Sequence, residues 1–298
     1  MALLPGRLAC SPQKRTELGF FNPFPLLNPL KMIALPFKIA GGLALLGGAG
    51  FLTWRYAVPE KYKSKFRKIA GGAVGEAQLK LIKTIFPADA DPAIVDAAFG
   101  VGAAVGLSPY LLLGITGAES NFGRALKPKG PGGTGDFIPR KATAKLDAHM
   151  AKYPLPGAAR IMAVDPRKKD EGLVMAWVPS VEGWGHGLYQ LDYVYHIDFI
   201  KTGKWRDPHE AMKYMAEKIL LYGQNQILKA FPNLNGMTLL RATIASYNAG
   251  PVNVIKALKK GLDPAVATYG GLATDYPKHV LEFATSLLMK AGIPNPFR

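Results

Sequence analysis

Residues 114–124 read Gly-Ile-Thr-Gly-Ala-Glu-Ser-Asn-Phe-Gly-Arg, the pattern of an apolar helix that runs into a turn. The apolar run from Tyr110 to Ile115 leads to a single carboxylate, Glu119. The Ser, Asn and Gly that follow are residues that end helices and form turns. The stretch therefore predicts a core helix with one acidic side chain in its last turn.

The predicted position of Glu119 is unusual for a carboxylate. The C-terminal end of a helix carries partial negative charge and favours cations. Apolar surroundings and this dipole both disfavour the ionised form, so we expect the pKa of Glu119 to be raised, as a general acid requires. The alternative is a surface glutamate that closes a helix, and the stretch alone does not decide between the two.

Composition limits the class of protein. The chain has 298 residues, of which 49% are hydrophobic and 19% charged, and this excludes wholesale disorder. The net charge of +16 predicts an anionic partner such as nucleic acid, anionic lipid or a bacterial wall polymer. Nucleic acid is the least favoured, because no signature of a known nucleic-acid-binding module is evident. The single cysteine, Cys10, allows neither an intrachain disulfide nor a cysteine-based metal site.

The N-terminal region is predicted to be an irregular, proline-rich tail (residues 1–31) followed by a transmembrane or anchor segment (residues 32–58). The stretch Ile39 to Trp54 carries no charge, and extending it back to residue 32 adds only Lys38, whose side chain can reach the interface. The segment then has the roughly 20 residues needed to cross a bilayer. A buried soluble helix is an alternative, but the many glycines would weaken it in water. A cleaved signal peptide is disfavoured by the long preceding tail.

Residues 59–89 are predicted to be a basic linker followed by a helix. Residues 55–68 hold six basic side chains against one acidic side chain, Glu60. Such a cluster fits anionic lipid headgroups and, by the positive-inside rule, is expected to stay in the cytoplasm. A domain that acts outside the cytoplasm would conflict with this orientation, unless the protein reaches the membrane by a route other than ordinary insertion.

Residues 90–298 are predicted to form one mainly α-helical domain with a small β element. Helical spacing or helix-boundary signals mark residues 70–86, 92–104, 109–119, 141–152, 208–222, 238–247, 252–260 and 275–290. A short strand is predicted at 173–178, and a short strand or turn at 188–192. The glycine-rich loop at 127–135 lacks the Gly-Lys-Ser/Thr that a phosphate loop requires.

Three separated stretches resemble the lysozyme-like glycan-cleaving enzymes, a superfamily that includes soluble lytic transglycosylases and goose-type lysozymes. Residues 111–123 are similar to the family's apolar helix that ends in Glu-Ser and is followed by Phe-Gly. Residues 185–192, Gly-His-Gly-Leu-Tyr-Gln-Leu-Asp, are similar to its Gly-hydrophobe-Met-Gln segment. Residues 245–251, Ala-Ser-Tyr-Asn-Ala-Gly-Pro, resemble its Tyr-Asn-Ala-Gly turn. Each stretch is a weak signal, and their shared order makes a strong one.

The resemblance implies an α+β lysozyme-like fold with a glycan cleft. It also implies that Glu119 is the acid/base on the β-1,4 bond between N-acetylmuramic acid and N-acetylglucosamine. Further residues expected to bind substrate are Ser120, Tyr189, Gln190, Tyr247 and Asn248. From the residues alone, Gln190 and Asn248 are equally explained as turn residues, and Tyr189 as a core residue.

A second carboxylate would decide between two reactions. An inverting hydrolase needs a base that activates water, with the carboxyls about 6.5–9.5 Å apart. In a transglycosylase the sugar's own hydroxyl attacks, and an anhydro product forms. Asp192 stands where goose-type enzymes carry a water-positioning aspartate, but it is equally explained as a cap of the next helix, and Glu182 is the nearest other acid. A lytic transglycosylase is the preferred expectation, and a muramidase that uses Asp192 is the alternative.

No cofactor or metal is expected. His186 and His196 are interpreted as structural, and His209-Glu210 lacks the second histidine of a zinc protease motif. The expected partners are peptidoglycan, a membrane and, in a phage particle, other virion proteins. The setting is then a bacterial cell envelope or a virion that opens the wall. A non-enzymatic structural or membrane-active virion protein is the competing interpretation.

Overall fold

An apolar central helix packed between other helices dominates the computed structural model, which describes residues 73–164 and 172–297. The α-helices are α1 (Ala73–Ile85), α2 (Ala93–Val105), α3 (Pro109–Ser120), α4 (Ala144–Lys152), α5 (Ile197–Lys201), α6 (Pro208–Tyr214), α7 (Leu221–Ala230), α8 (Gly236–Ala249), α9 (Pro251–Lys259), α10 (Gly271–Thr274) and α11 (Tyr276–Lys290). A π-helical segment, Met215–Leu220, joins α6 to α7, and short 3₁₀ turns cover Lys204–Arg206 and Pro264–Ala267.

Two small antiparallel sheets complete the described part of the fold. The strands are β1 (Thr134–Gly135), β2 (Arg140–Lys141), β3 (Ala159–Ala163), β4 (Val174–Val178), β5 (Gly185–His186) and β6 (Leu191–Asp192). One sheet has the order β1-β5-β6 and the other β2-β4-β3. In the first sheet Gly135 pairs with Gly185, and Gly185 pairs with Asp192. The β5–β6 turn is therefore held against the segment that follows α3.

The sequence explains both ends of helix α3. Pro109 occupies the first turn, where its missing N–H is not needed. Most of the helix is apolar and buried, and the side chains of Leu112, Leu113 and Ile115 are completely inaccessible to solvent. At the C-terminal end Asn121 adopts a left-handed conformation, φ 49°, and its N–H donates to the carbonyl of Gly117. The helix thus ends at Ser120, directly after Glu119.

Helices α3 and α11 cross closely because two glycines face the crossing point. A Cβ atom at Gly114 would lie 2.6 Å from the carbonyl oxygen of Val280, and one at Gly117 would lie 2.5 Å from the ring of Phe283. Neither position has room for a side chain. This close approach brings the last turn of α3 next to the first residues of α11.

The structure confirms the predicted class of a mainly α protein with small antiparallel sheets. The predicted helices correspond to α1–α4, α6, α8, α9 and α11 with ends shifted by a few residues. The helix predicted at 208–222 continues through the π-helical segment to Ala230. Helix α1, which the sequence assigns to the linker, packs on the core through Ile82 and Phe86, so the globular body starts before residue 90.

The predicted tail and membrane segment, residues 1–58, lie outside the described residues. Among the helices of residues 73–164 and 172–297, none is both long enough and apolar enough to span a bilayer.

Candidate active site

The carboxyl group of Glu119 lies in the last turn of α3, where the side chain is half-buried. Burial raises its pKa from 4.5 to about 7, and a hydrogen bond from the hydroxyl of Tyr276 partly opposes this rise. Near neutral pH the group therefore exists in both forms. A carboxyl group that holds a proton at this pH and keeps partial access to solvent can protonate a bound ligand.

Two tyrosines from different helices form one wall of the site. The hydroxyl of Tyr276, the first residue of α11, donates to Oε1 of Glu119. The ring of Tyr247, near the end of α8, stacks on that of Tyr276 with centroids 6.3 Å apart and an angle of 10° between the planes. Burial raises the pKa of both phenols well above 10, and the nearby Glu119 carboxylate adds to the effect. Both hydroxyls therefore remain protonated donors.

Tyr189 connects the β5–β6 turn to helices α8 and α3. The hydroxyl of Tyr247 donates to the backbone carbonyl of Tyr189. The side-chain hydroxyls of Tyr189 and Thr116, which lies on α3, are 3.2 Å apart. The three sequence stretches singled out above, which are far apart in the chain, thus meet at one place around Glu119.

Ser120 and Tyr189 have supporting positions. Each side chain is only 1% exposed. The hydroxyl of Ser120 donates to the carbonyl of Thr116 at 3.1 Å and accepts from the N–H of Gly123 at 3.0 Å, which secures the end of α3. Both side chains thus help to hold the site together, and their contacts with substrate stay predictions.

Gln190 occupies a constrained position in the β5–β6 turn. Its backbone has a positive φ of 46°, and its Nε2 donates to the carbonyl of Gly187 at 3.0 Å. The amide covers Gly135 and Gly185, where an added Cβ would lie 2.2 and 2.4 Å from Oε1. Two glycines are needed here because the Gln190 side chain fills the space beside them. The half-buried amide is therefore part of the sheet's packing as well as of the site's edge.

Asn248 is exposed, next to Tyr247 at the end of α8. Its Oδ1 accepts the backbone N–H of Tyr269 at 3.0 Å. The side chain thus anchors the segment that leads from α9 to α11.

Each oxygen of the Asp192 carboxylate contacts one neighbouring residue. Its Oδ1 accepts the N–H of Val194 at 2.8 Å, and its Oδ2 lies 2.6 Å from the guanidinium of Arg140. Glu182 is similarly occupied, since its two oxygens lie 3.3 Å from His186 and 3.7 Å from Arg206. Both acids hold the sheet region together, and each has a basic side chain next to one of its oxygens.

The predicted structural histidines lie in aromatic surroundings. His186 is completely buried and contacts the ring of Trp205 edge to face at 4.8 Å. Burial lowers the pKa of His186, which Glu182 partly counteracts. His196 lies 3.2 Å from the hydroxyl of Tyr214. Among residues 73–164 and 172–297, no group of three or more His, Cys, Asp or Glu side chains is placed to hold a metal ion.

Tyr276 is the residue of the site that sequence reasoning missed. It begins a predicted helix, but its neighbours Asp275 and Pro277 read only as a helix start. The hydrogen bond to Glu119 joins residues 157 positions apart, and no local pattern reports such a contact.

Comparison with known proteins gives no independent assignment. No family model matches the chain, and no curated protein shows a significant match to it.

Proposed function

We propose that this chain is a lytic transglycosylase of the lysozyme-like superfamily. It cleaves the β-1,4 bond between N-acetylmuramic acid and N-acetylglucosamine in peptidoglycan, with Glu119 as acid and then base. The observation that carries the proposal is the raised pKa of Glu119, about 7, at the place where the three family-like stretches meet. The superfamily fold itself is part of the proposal.

The geometry around Glu119 supports an acid/base role for one carboxyl group. Oε1 accepts the hydrogen bond from Tyr276, which leaves Oε2 to hold the proton. Glu119 gives this proton to the glycosidic oxygen as the bond to the muramic acid carbon breaks. A hydroxyl of the same muramic acid residue then attacks that carbon, and the Glu119 carboxylate accepts the hydroxyl proton. The proton count balances, and the products are an anhydro sugar end and a free hydroxyl on the leaving sugar.

The partners of Asp192 favour this reaction over hydrolysis. A base that activates water needs a carboxylate oxygen free to accept a proton. In this structure both oxygens of Asp192 have partners, Val194 and Arg140. A route that uses Glu119 alone requires no change in these contacts.

The test is digestion of purified, insoluble peptidoglycan by the full-length chain. The wild type should release soluble fragments, and Glu119→Gln should release none, although the glutamine can still accept from Tyr276. The matched control is Glu282→Gln, an exposed glutamate on α11. Equal release by wild type and Glu119→Gln, or by neither, would exclude the enzymatic proposal and leave a non-enzymatic structural protein.

Mass spectrometry of the fragments separates the two reactions. Anhydro ends support the transglycosylase, whereas reducing ends would show that water is the acceptor. In the second case the proposal changes to a muramidase that uses Asp192 or Glu182.

The sequence outside the described residues supports a membrane-associated setting, in a bacterial envelope or in a phage virion. Residues 1–72 carry eleven basic and two acidic side chains together with the uncharged stretch 39–54. Such a segment favours anionic lipid surfaces. Flotation of the full-length chain with vesicles, with and without anionic lipid, tests this setting independently of enzyme activity.

A further inference from the structure

An exposed apolar ledge, defined here as residues 269–272, lies in the loop between α9 and α11. Tyr269 is 73% exposed and Leu272 is 61% exposed. Between them are Gly270 and Gly271, both with positive φ, 78° and 55°. At Gly270 the side chain of Thr274 takes the place that a Cβ would occupy, whereas at Gly271 the nearest atom to an added Cβ would be 3.8 Å away.

One end of the ledge is fixed to helix α8. The N–H of Tyr269 donates to Oδ1 of Asn248 at 3.0 Å, and Asn248 follows Tyr247, whose ring forms part of the site wall. The hydroxyl of Thr274 donates to the carbonyl of Tyr269 at 2.6 Å and closes the loop on itself. The position of Tyr269 is therefore set by the site and by the loop's own hydrogen bonds.

The other end of the ledge leads directly into the site. Asp275, three residues after Leu272, is 3.1 Å from the guanidinium of Arg241 and accepts the N–H of Lys278, which fixes the start of α11. The next residue is Tyr276, which donates to Glu119. The ledge is thus continuous with the group that hydrogen-bonds the carboxyl.

We propose that Tyr269 and Leu272 form a sugar-binding site that holds one ring of a glycan strand beside Glu119. This inference rests on the proposed function. The carbon–hydrogen faces of a pyranose ring are apolar, and its edge carries hydroxyl and acetamido groups. A tyrosine offers an apolar ring face together with a polar tip, and thus suits both parts of a sugar. Gly271, next to Leu272, carries no side chain that would keep a flat ring away from the backbone.

Such a site would bind the strand at a sugar ring other than those joined by the cleaved bond. Contacts with a remote ring of the polymer hold the strand and orient the cleaved bond at Glu119. The site should therefore matter for long strands and not for the shortest fragments that reach only the Glu119 region. This dependence on chain length distinguishes a sugar site from a general effect on folding.

The experiment compares full-length wild type, Tyr269→Ala and Tyr269→Phe, with Tyr222→Ala as the control. Tyr222 is an exposed tyrosine on α7, 53% accessible and outside the candidate site. KM and kcat are measured on long glycan strands and on short oligosaccharides. The same substitutions in a Glu119→Gln background are assayed for binding to insoluble peptidoglycan, which needs no cleavage.

Tyr269→Ala is expected to raise KM for long strands by about five- to tenfold, with a smaller effect on kcat, and to weaken binding in the Glu119→Gln background by a similar factor. Tyr269→Phe keeps the ring face and loses the hydroxyl, so its KM for long strands should lie between those of wild type and Tyr269→Ala. If wild type cleaves and Tyr269→Ala has the same KM and kcat on long strands, the sugar-binding site is refuted and the proposed enzymatic function is kept. If neither wild type nor any variant cleaves the glycan but Tyr269→Ala still weakens binding to peptidoglycan, the enzymatic function is refuted and the sugar-binding site is kept. If neither cleavage nor binding occurs, both are refuted.

Discussion

The stability that Glu119→Gln gains over wild type should grow as pH rises from 4.5 to about 7. Burial raises the pKa of the carboxyl from 4.5 to about 7, so the folded state resists ionisation that the unfolded state accepts. Stability from this group is fully present below pH 4.5 and is lost as pH rises to about 7. The shift corresponds to about 3 kcal/mol, and partial exposure reduces the expected loss to about 2 kcal/mol.

The quantity to measure is the difference in free energy of unfolding between Glu119→Gln and wild type. Urea denaturation of the full-length chains, in one buffer and detergent system, is carried out from pH 4 to pH 8. Other titrating groups contribute equally to both proteins and cancel in the difference. The variant should gain about 2 kcal/mol relative to wild type across this range. The same comparison for Glu282→Gln, whose side chain is 60% exposed, should stay nearly flat.

A flat difference for Glu119→Gln would refute the reasoning, because it would mean that the carboxyl ionises as easily in the folded as in the unfolded chain. A difference that falls with pH would show that the folded state favours the charged form, which is incompatible with a general acid near neutral pH.

The remaining predictions concern the pH profile, the helix crossing and the second acid. Glycan cleavage should decline above about pH 7 as Glu119 loses its proton. Tyr276→Phe removes a hydrogen bond that lowers this pKa, so initial rates should persist to higher pH. Gly114→Ala places a methyl group 2.6 Å from a carbonyl oxygen of α11 and should lower the free energy of unfolding by about 1–3 kcal/mol. Gly100→Ala, with its nearest atom 3.9 Å away, should raise it by about 0.5–1 kcal/mol in the same urea titration. Asp192→Asn should keep most of the cleavage rate, whereas loss of a true base would reduce it about 10²–10⁴-fold.

Each of these expectations has a contrary result. An upper pH limit that Tyr276→Phe leaves unchanged would mean that the hydrogen bond does not tune the acid. Equal stabilities of the two glycine variants would show that α3 and α11 can separate without loss. An Asp192→Asn protein as inactive as Glu119→Gln would assign a second catalytic carboxyl and a hydrolytic reaction.

The sequence predicts the acid well because every signal for it is local. The apolar run, the isolated carboxyl and the turn residues at Ser120 and Asn121 lie within one helix and its end. The β5–β6 turn is harder to predict from sequence, because the side chain of Gln190 packs on Gly135. Gly135 is distant in the chain and comes next to Gln190 only because β1 pairs with β5.

Burial of aromatic residues is the other limit of sequence reasoning. Tyr189 and Tyr247 both lie in family-like stretches, yet Tyr189 is buried in the core and Tyr247 forms part of the site wall. Pattern alone cannot tell a ring that faces a ligand from one that faces a neighbouring helix. Which of the two occurs depends on how α3, α8 and α11 cross, and that is settled by packing at Gly114 and Gly117.

The long separation between Glu119 and Tyr276 has a consequence during protein synthesis. A growing chain contains all of α3 long before the 157 residues that lead to Tyr276 have been made. In that interval Glu119 belongs to a helix without its covering wall, and an uncovered glutamate ionises near its ordinary pKa. The raised pKa of Glu119 is therefore a property of the packed chain and not of α3 alone. The order of the chain itself delays this pKa shift until helix α11 can pack.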